Sequence, residues 1–468
     1  MAESLLWFDY ETFGLDTARD RPAQFAGLRT DNELNLIGKP FTLFCQPPID
    51  YIPNPESCLL TGISPVEAQA RGVSEHEFIG QILSEFAIPG TCGVGYNSIR
   101  FDDEVTRNTL YRNLYDPFAR EWQSGNSRWD LLGVMRMARA LRPEGIVWPK
   151  DQKGRPTLKL DHLTVANDIA HQDAHDAMGD VRATLELARL VKREQPKLFR
   201  YLWELRAKRA VLALVNPGSM SPFLVASTRM SSETQNLGVA VVVGRQPENP
   251  NALITYDLSL PPSAWMENEA AEGEIRSPFS LLHINRSPAL APITVLRSQD
   301  EARLGLDLSE QLKHLDELMQ LPYRKAPGYE ALNQPYASEE RPDVDLGLYA
   351  GFASDRDRQR LEAFRTSGSP LFLKMPDQFD DPRYRELCRR FKARNFPNQL
   401  STEEAQQWRH FCEAKWFQKA NGASMNLHEF MEKVEELRVS SGSDEKKLAV
   451  LDETERYVRE LTGVHGLA

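Results

Sequence analysis

The 468-residue sequence is short of three things, and each shortage excludes a class of protein. No apolar run approaches the roughly 20 residues that a bilayer-spanning helix needs, so a helical membrane protein is excluded. Cysteine is scarce. Cys45, Cys58, Cys92, Cys388 and Cys412 are odd in number, widely spaced and contain no C-x-x-C. That argues against a disulfide framework or a zinc site and fits a reducing cytoplasm. Positive charge is also in deficit: 56 Lys and Arg against 67 Asp and Glu leave a net charge of −11. Such a chain does not hold nucleic acid by bulk charge, although an enzyme with local basic tracks and an acidic metal site stays open. Met1-Ala2-Glu3-Ser4 has no basic segment and runs directly into a strand-like stretch, so no secretory leader is expected.

What is present reads as three parts. Residues 1–193 alternate strands and helices. Leu5–Phe8 leads into Asp9-Tyr10-Glu11-Thr12; further strands are expected at Gln24–Thr30, Ile37–Gln46 and Thr91–Tyr96. Ser64-Pro65 starts a helix with a capping serine and proline at the first helical position. Helical spacing follows over Glu75–Ala87, Phe101–Leu114, Asp130–Leu141 and Ala177–Arg193. This pattern predicts an α/β domain on a mixed sheet. Residues 194–347 carry strand-like runs at Gly238–Val243, Ala252–Leu258, Ser280–Ile284 and Ile293–Leu296, which predicts a smaller β domain with helical insertions. The stretch Pro322–Pro342 reads as a connector. From 348 to 468 the strand signals stop and amphipathic helices take over, from Arg356–Arg365 to Asp444–Thr462.

The chemistry-bearing residues are four acids and one histidine in the first part. Asp9 and Glu11 stand two apart on a strand, so their side chains leave the same face. Two carboxylates side by side repel unless they are protonated or bridged by a cation, and a hard divalent ion such as Mg²⁺ suits them. D-x-E alone also describes a pair of surface acids on an edge strand. Asn97-Ser98-Ile99-Arg100-Phe101-Asp102-Asp103 follows a strand and opens a helix. About 100° separates Asp102 from Asp103, so only one faces a given site; an ordinary helix-capping acid gives the same sequence. His175-Asp176-Ala177-Met178-Gly179-Asp180 sets an imidazole near a carboxylate at a helix start, as a general base for a metal-held water requires. A simply exposed histidine fits that motif equally.

Taken together, D-x-E on the first strand, N-x-x-x-F-D after a later one and H-x-x-x-x-D on the last helix resemble the DEDDh 3′→5′ exonuclease family. The resemblance matches Asp9, Glu11, Asp102, His175 and Asp180 in order, and selects Asp102 over Asp103. Asp9–Gly14, Asp20–Phe25, Arg100–Arg107, Asn126–Asp130, Leu141–Gly145, His283–Asn285 and Arg394–Pro397 look like the bacterial exodeoxyribonuclease I branch of that family. The similarity spans essentially the whole chain.

The resemblance implies an RNase H-like exonuclease domain at 1–193, an SH3-like β domain at 194–347 and an all-helical C-terminal domain at 348–468. It implies processive 3′→5′ hydrolysis of single-stranded DNA to nucleoside 5′-monophosphates, in DNA repair and recombination. Two Mg²⁺ ions, with Mn²⁺ as the substitute, are expected on Asp9, Glu11, Asp102 and Asp180, with His175 as general base. Glu11 would also help hold the terminal nucleotide. The strand would be gripped by Arg107, Phe118, Trp122, Arg136, Arg142, Leu158 and Lys159, mixing cations with aromatic faces. Close relatives carry tyrosine at the position of Phe118 and arginine at that of Lys159; loss of a bidentate phosphate contact at the latter weakens the expected grip. A protein partner is also implied, the acidic tail of single-stranded DNA-binding protein, at Arg142 and Tyr201. The expected enzyme is a cytoplasmic monomer. A DEDDh exoribonuclease, a proofreading exonuclease and a non-catalytic single-strand binder are the competing readings; the first two are usually shorter, and the third leaves five filled catalytic positions unexplained.

Overall fold

The computed structural model describes residues 3–170, 176–263, 277–334, 343–366 and 379–464. They form two compact units, neither continuous in sequence: residues 1–126, 172–182 and 338–468 in one, residues 127–171 and 183–337 in the other.

In the first unit, β1 (Ser4–Thr12) pairs antiparallel with β2 (Pro22–Thr30), and β2 pairs with β3 (Phe41–Phe44). On its other side β1 runs parallel to β4 (Thr91–Gly95). Strand alternation divides β1 between two faces. Leu6, Phe8 and Tyr10 pack with Phe25 against Phe78, Ile79, Ile82 and Phe86 of the helix Glu75–Phe86. Asp9 and Glu11 therefore leave the opposite face. The expected strand Ile37–Gln46 is shortened to β3, because Gly38 takes a left-handed backbone (φ +76°) and Pro40 follows it.

The C-terminal helices Asp355–Thr366, Arg383–Asn395, Thr402–Gln418, Leu427–Ser441 and Glu445–Thr462 belong to the same unit. Tyr111 and Leu114 pack with Leu348, Phe364, Leu387 and Phe391, and Ile52 packs with Phe430, Val434 and Val458. A polar tie lies between them. Asp50, fully buried, accepts from Arg394 Nη2 at 2.7 Å and Lys415 Nζ at 2.9 Å.

The second unit begins with β5 (Ser127–Asp130), whose Asp130 caps the helix Leu131–Leu141 by accepting from Leu132 N at 3.0 Å. Its antiparallel sheet is built from β6 (Phe223–Ala226), β7 (Leu237–Arg245), β8 (Ala252–Asp257), β9 (Phe279–His283) and β10 (Leu290–Pro292), in the order β10-β6-β7-β8-β9. Two expectations are corrected here. The strand placed at Ile293–Leu296 ends instead at Pro292, which has no N–H for the ladder, and Ile293–Val295 is a single 3₁₀ turn. The connector Pro322–Pro342 contains the helix Pro327–Asn333, held by Tyr329 packing edge-on against Phe279 at 5.9 Å; its residues 335–342 lie outside the described ones.

Candidate active site

The register of β1 on β2 sets Glu11 opposite Gln24. Gln24 is buried, and its Oε1 accepts from Ala177 N at 3.1 Å, fixing the start of the helix Ala177–Glu194. That helix start delivers Asp180. One carboxylate oxygen from each of Asp9, Glu11 and Asp180 lies within 4.8 Å of the others. Asp102 is the first residue of the helix Asp102–Arg112, is buried, and accepts from Tyr10 N at 3.1 Å. It thus hangs from the residue between Asp9 and Glu11. Asp103 turns elsewhere, into a fully buried ion pair with Arg120 at 2.6 Å. The two neighbouring acids are separated by their partners.

Burial, then Asp102, Glu11, Asp180 and Asp176, holds the Asp9 carboxyl well above the usual carboxylate range. Burial, then Asp180, Asp102 and Asp176, pushes Glu11 up to about 9. These groups ionise together only if a cation shares them. The donors are all carboxylate oxygens, which suits a hard divalent ion. Asp176 is an acid of this field that the motif reading did not single out; its place directly after His175 was the available signal. His175 itself lies outside the described residues.

The remaining first-unit candidates line a groove of ≈ 560 Å³ or stand beneath it. Trp122 is 67% exposed and Phe118 half-buried. Phe118 meets Phe352 edge-on at 5.5 Å and Tyr349 at 6.1 Å. Phe352, Arg358 and Arg365 line the same groove, and sequence reading had no signal for them because they arrive from more than 200 residues away. Arg107 is buried under Phe118, its guanidinium 5.4 Å from the ring. It donates to Glu121 at 2.7 and 2.8 Å and to Glu104 at 2.6 Å.

The second unit carries the others. Arg136 is half-buried on the helix Leu131–Leu141, and Arg142 ends that helix, donating to Asp300 at 3.3 Å and the Val295 carbonyl at 3.0 Å. Leu158 is half-buried and Lys159 exposed just before the helix Leu160–Ala166. Tyr201 lies on the helix Pro196–Leu205 with a buried hydroxyl that has no hydrogen-bond partner among the described residues, and burial pushes its pKa up to about 12.

Carboxylates of Asp9, Glu11 and Asp180 placed so that one divalent ion could share them are the donor set of a metal-dependent nuclease, and the exonuclease family model matches residues 6–188, which sets the class as an exonuclease. Models for the exonuclease I SH3-like domain and the exonuclease I C-terminal domain match residues 206–330 and 342–461. The sequence is 42% identical over 420 residues to exodeoxyribonuclease I of Escherichia coli K12, covering 86% of this chain and 88% of that protein. It is 37% identical to exodeoxyribonuclease I of Haemophilus influenzae over 98% of this chain and 99% of that one. Among solved structures, exonuclease I from Methylocaldum szegediense superposes with a TM-score of 0.92 at 44% identity, covering 98% of this chain and 100% of that one. The zinc-bound E. coli exonuclease I complex with single-stranded DNA gives 0.91 at 39%, covering 99% and 100%. An SSB/exonuclease I structure with an inhibitor gives 0.90 at 39%, covering 98% and 100%. The chain belongs to the exodeoxyribonuclease I family.

Proposed function

We propose that this chain is a processive 3′→5′ exonuclease that hydrolyses single-stranded DNA to nucleoside 5′-monophosphates, in DNA repair and recombination. The observation that carries this reading is the convergence of half-buried Asp9 and Asp180 on buried Glu11, with Asp102 held beside them by Tyr10 N. Two Mg²⁺ ions, replaceable by Mn²⁺, fit this donor set: Asp9, Glu11 and Asp180 would hold one, Asp9 and Asp102 the other. Bound there, they would supply Lewis-acid stabilisation of the charge that develops on the phosphate. His175 takes the proton of the attacking water as the bond from phosphorus to the penultimate O3′ breaks. Glu11 also holds the terminal nucleotide, and Gln24 keeps the Asp180 helix in place.

Phe118 and Trp122 offer stacking faces, with Arg107 bracing Phe118 from beneath. In the second unit, Arg136, Arg142, Leu158 and Lys159 are the proposed strand contacts. We read the domains as 1–193, 194–347 and 348–468, a reading supported by the order and extent of the three family matches. The working form is a cytoplasmic monomer; no helix among the described residues is long and apolar enough to cross a membrane.

Polarity tests the reaction. A strand with a 3′-phosphate is expected to be degraded far more slowly than the same strand with a free 3′-OH, with mononucleotides as products. Frequent internal cuts, or equal loss from both ends, would assign another nuclease class.

The single-stranded DNA-binding protein tail is the proposed partner, at Arg142 and Tyr201. The nearby run of basic residues from Lys192 to Arg209, interleaved with aromatic and aliphatic side chains, supports this. Titration of the tail peptide should show weaker binding to Tyr201→Ala and Arg142→Ala, and weaker binding to wild type as salt rises. Unchanged affinity in both variants would move the partner site elsewhere.

A further inference from the structure

The chain is acidic overall, yet residues 150–159 hold four cations, Lys150, Lys153, Arg155 and Lys159, against one acid, Asp151. This segment is a folded hairpin. Lys150 bridges Pro156, Asp151 N donates to the Arg155 carbonyl at 2.7 Å, and Thr157 N donates to the Pro149 carbonyl at 3.1 Å. Gly154 supplies the left-handed turn residue, with φ +74°.

The single acid is occupied by the turn itself. Asp151 accepts from the backbone N–H groups of Arg155 and Lys153, each at 2.9 Å, and from Arg155 Nε at 2.9 Å. Lys150, Lys153 and Lys159 are exposed and make no ion pair among the described residues. Arg155 keeps most of its side chain in solvent while paired. The hairpin thus presents fixed positive charge that its own acid does not cancel. At its base Asn167 clasps both backbone groups of Val147 at 2.9 Å, and Val147 and Val165 are left 58% and 76% exposed. Exposed cations without an ion-pair partner among the described residues are what backbone phosphates require.

We propose that this hairpin is an additional phosphate-gripping platform for single-stranded nucleic acid, with Lys150 and Lys153 on backbone phosphates upstream of those held at Lys159. The inference rests on the reading of Lys159 as a substrate contact. Lys159 is three residues past Pro156, hence ~10 Å from the Lys150 bridge at strand spacing, about one to two phosphates along an extended strand.

The test is binding of an oligothymidylate by fluorescence anisotropy across a salt series, in EDTA to prevent cleavage. Lys150→Gln/Lys153→Gln is expected to weaken binding and to flatten the slope of log K against log salt by about 1.4, two phosphates at ~0.7 each. Lys150→Arg/Lys153→Arg is expected to keep the wild-type slope, and thermal melting verifies that both variants are folded. An unchanged slope in the Gln variant overturns the platform. So does an unchanged slope accompanied by lost binding of an acidic peptide, which would make the hairpin a protein-docking element. If wild type itself neither binds nor degrades the strand, the nuclease reading fails instead, and the two failures are told apart.

Discussion

Asp9→Asn is expected to abolish nucleotide release and at the same time to raise the melting temperature of the metal-free protein. Both effects come from the same crowding of charge. Asp9 is held well above the usual carboxylate range by burial and then by Asp102, Glu11, Asp180 and Asp176, and Glu11 is pushed up to about 9 by burial and the same acids. A carboxyl with a raised folded pKa binds more protons folded than unfolded, so its contribution to stability is present at low pH and is lost as pH rises. The window opens near the unfolded values of about 4 and closes near 9, the Glu11 value. Wild-type melting temperature without metal should therefore fall across that range. Asn in place of Asp9 removes one charge and flattens the fall. Added Mg²⁺ should restore wild type at pH 8, because a ligand that binds only the folded state stabilises it by mass action. The variant should show little of that rise, and a loss of activity beyond the ~100-fold that outer-shell changes cause. His175→Ala separates proton transfer from metal holding: activity should fall by ~10²–10⁴, the range for a general base, while the Mg²⁺-induced rise persists. Near-wild-type nucleotide release by either purified variant would remove its residue from the site.

The acids of this site were legible because strand alternation and helix starts are local. Asp9 and Glu11 share a face by period alone, and Asp180 follows from the first turn of an evident helix. What the sequence could not give was the division of labour between Asp102 and Asp103, which depends on Tyr10 N for one and Arg120 for the other. The resemblance to a family selected Asp102; the geometry supplies the reason. Arg107 shows the same limit. Basic residues interleaved with aromatics suggest a phosphate track, but pairing with Glu121, fourteen residues on, is a property of the folded chain. In the β domain, Phe223–Ala226 is a fully buried strand too short to announce itself by alternation. The Pro-rich connector hid a helix because proline is also a good first helical residue, as it is at Pro327.

Asp50→Ala is expected to cost ~3–5 kcal/mol, the range for breaking a buried ion pair from one side. Nothing in the sequence marks this residue: it sits in the loop Pro47–Tyr51, and its partners are 344 and 365 residues away. Burial alone would raise the Asp50 carboxyl, but Arg394 and Lys415 beside it hold it well below the usual range. Arg394 also reaches Asp345, and Arg390 pairs with Asp343 at 2.6 Å and Asp345 at 3.0 Å. Alanine would leave Lys415 buried without its carboxylate and Arg394 with half its acceptors. The exposed pair Arg71–Glu67 offers the contrast, since surface pairs contribute ~0–1 kcal/mol. Because the folded pKa of Asp50 is depressed, its contribution is present above the unfolded value of about 4 and lost as pH falls below it. The variant and wild type should therefore converge in stability in acid and differ most near neutrality. Urea unfolding at pH 7, read at the first transition, measures the effect; a change under ~1 kcal/mol would mean that the cluster is open to water and behaves like a surface pair. The adjoining Tyr51 carries the consequence toward chemistry. Its hydroxyl donates to the Phe13 carbonyl at 2.9 Å, one residue beyond the end of β1. Loosening Asp50 thus loosens the brace on the strand that bears Asp9 and Glu11, and nuclease activity in the variant should be lost at lower temperature than global unfolding.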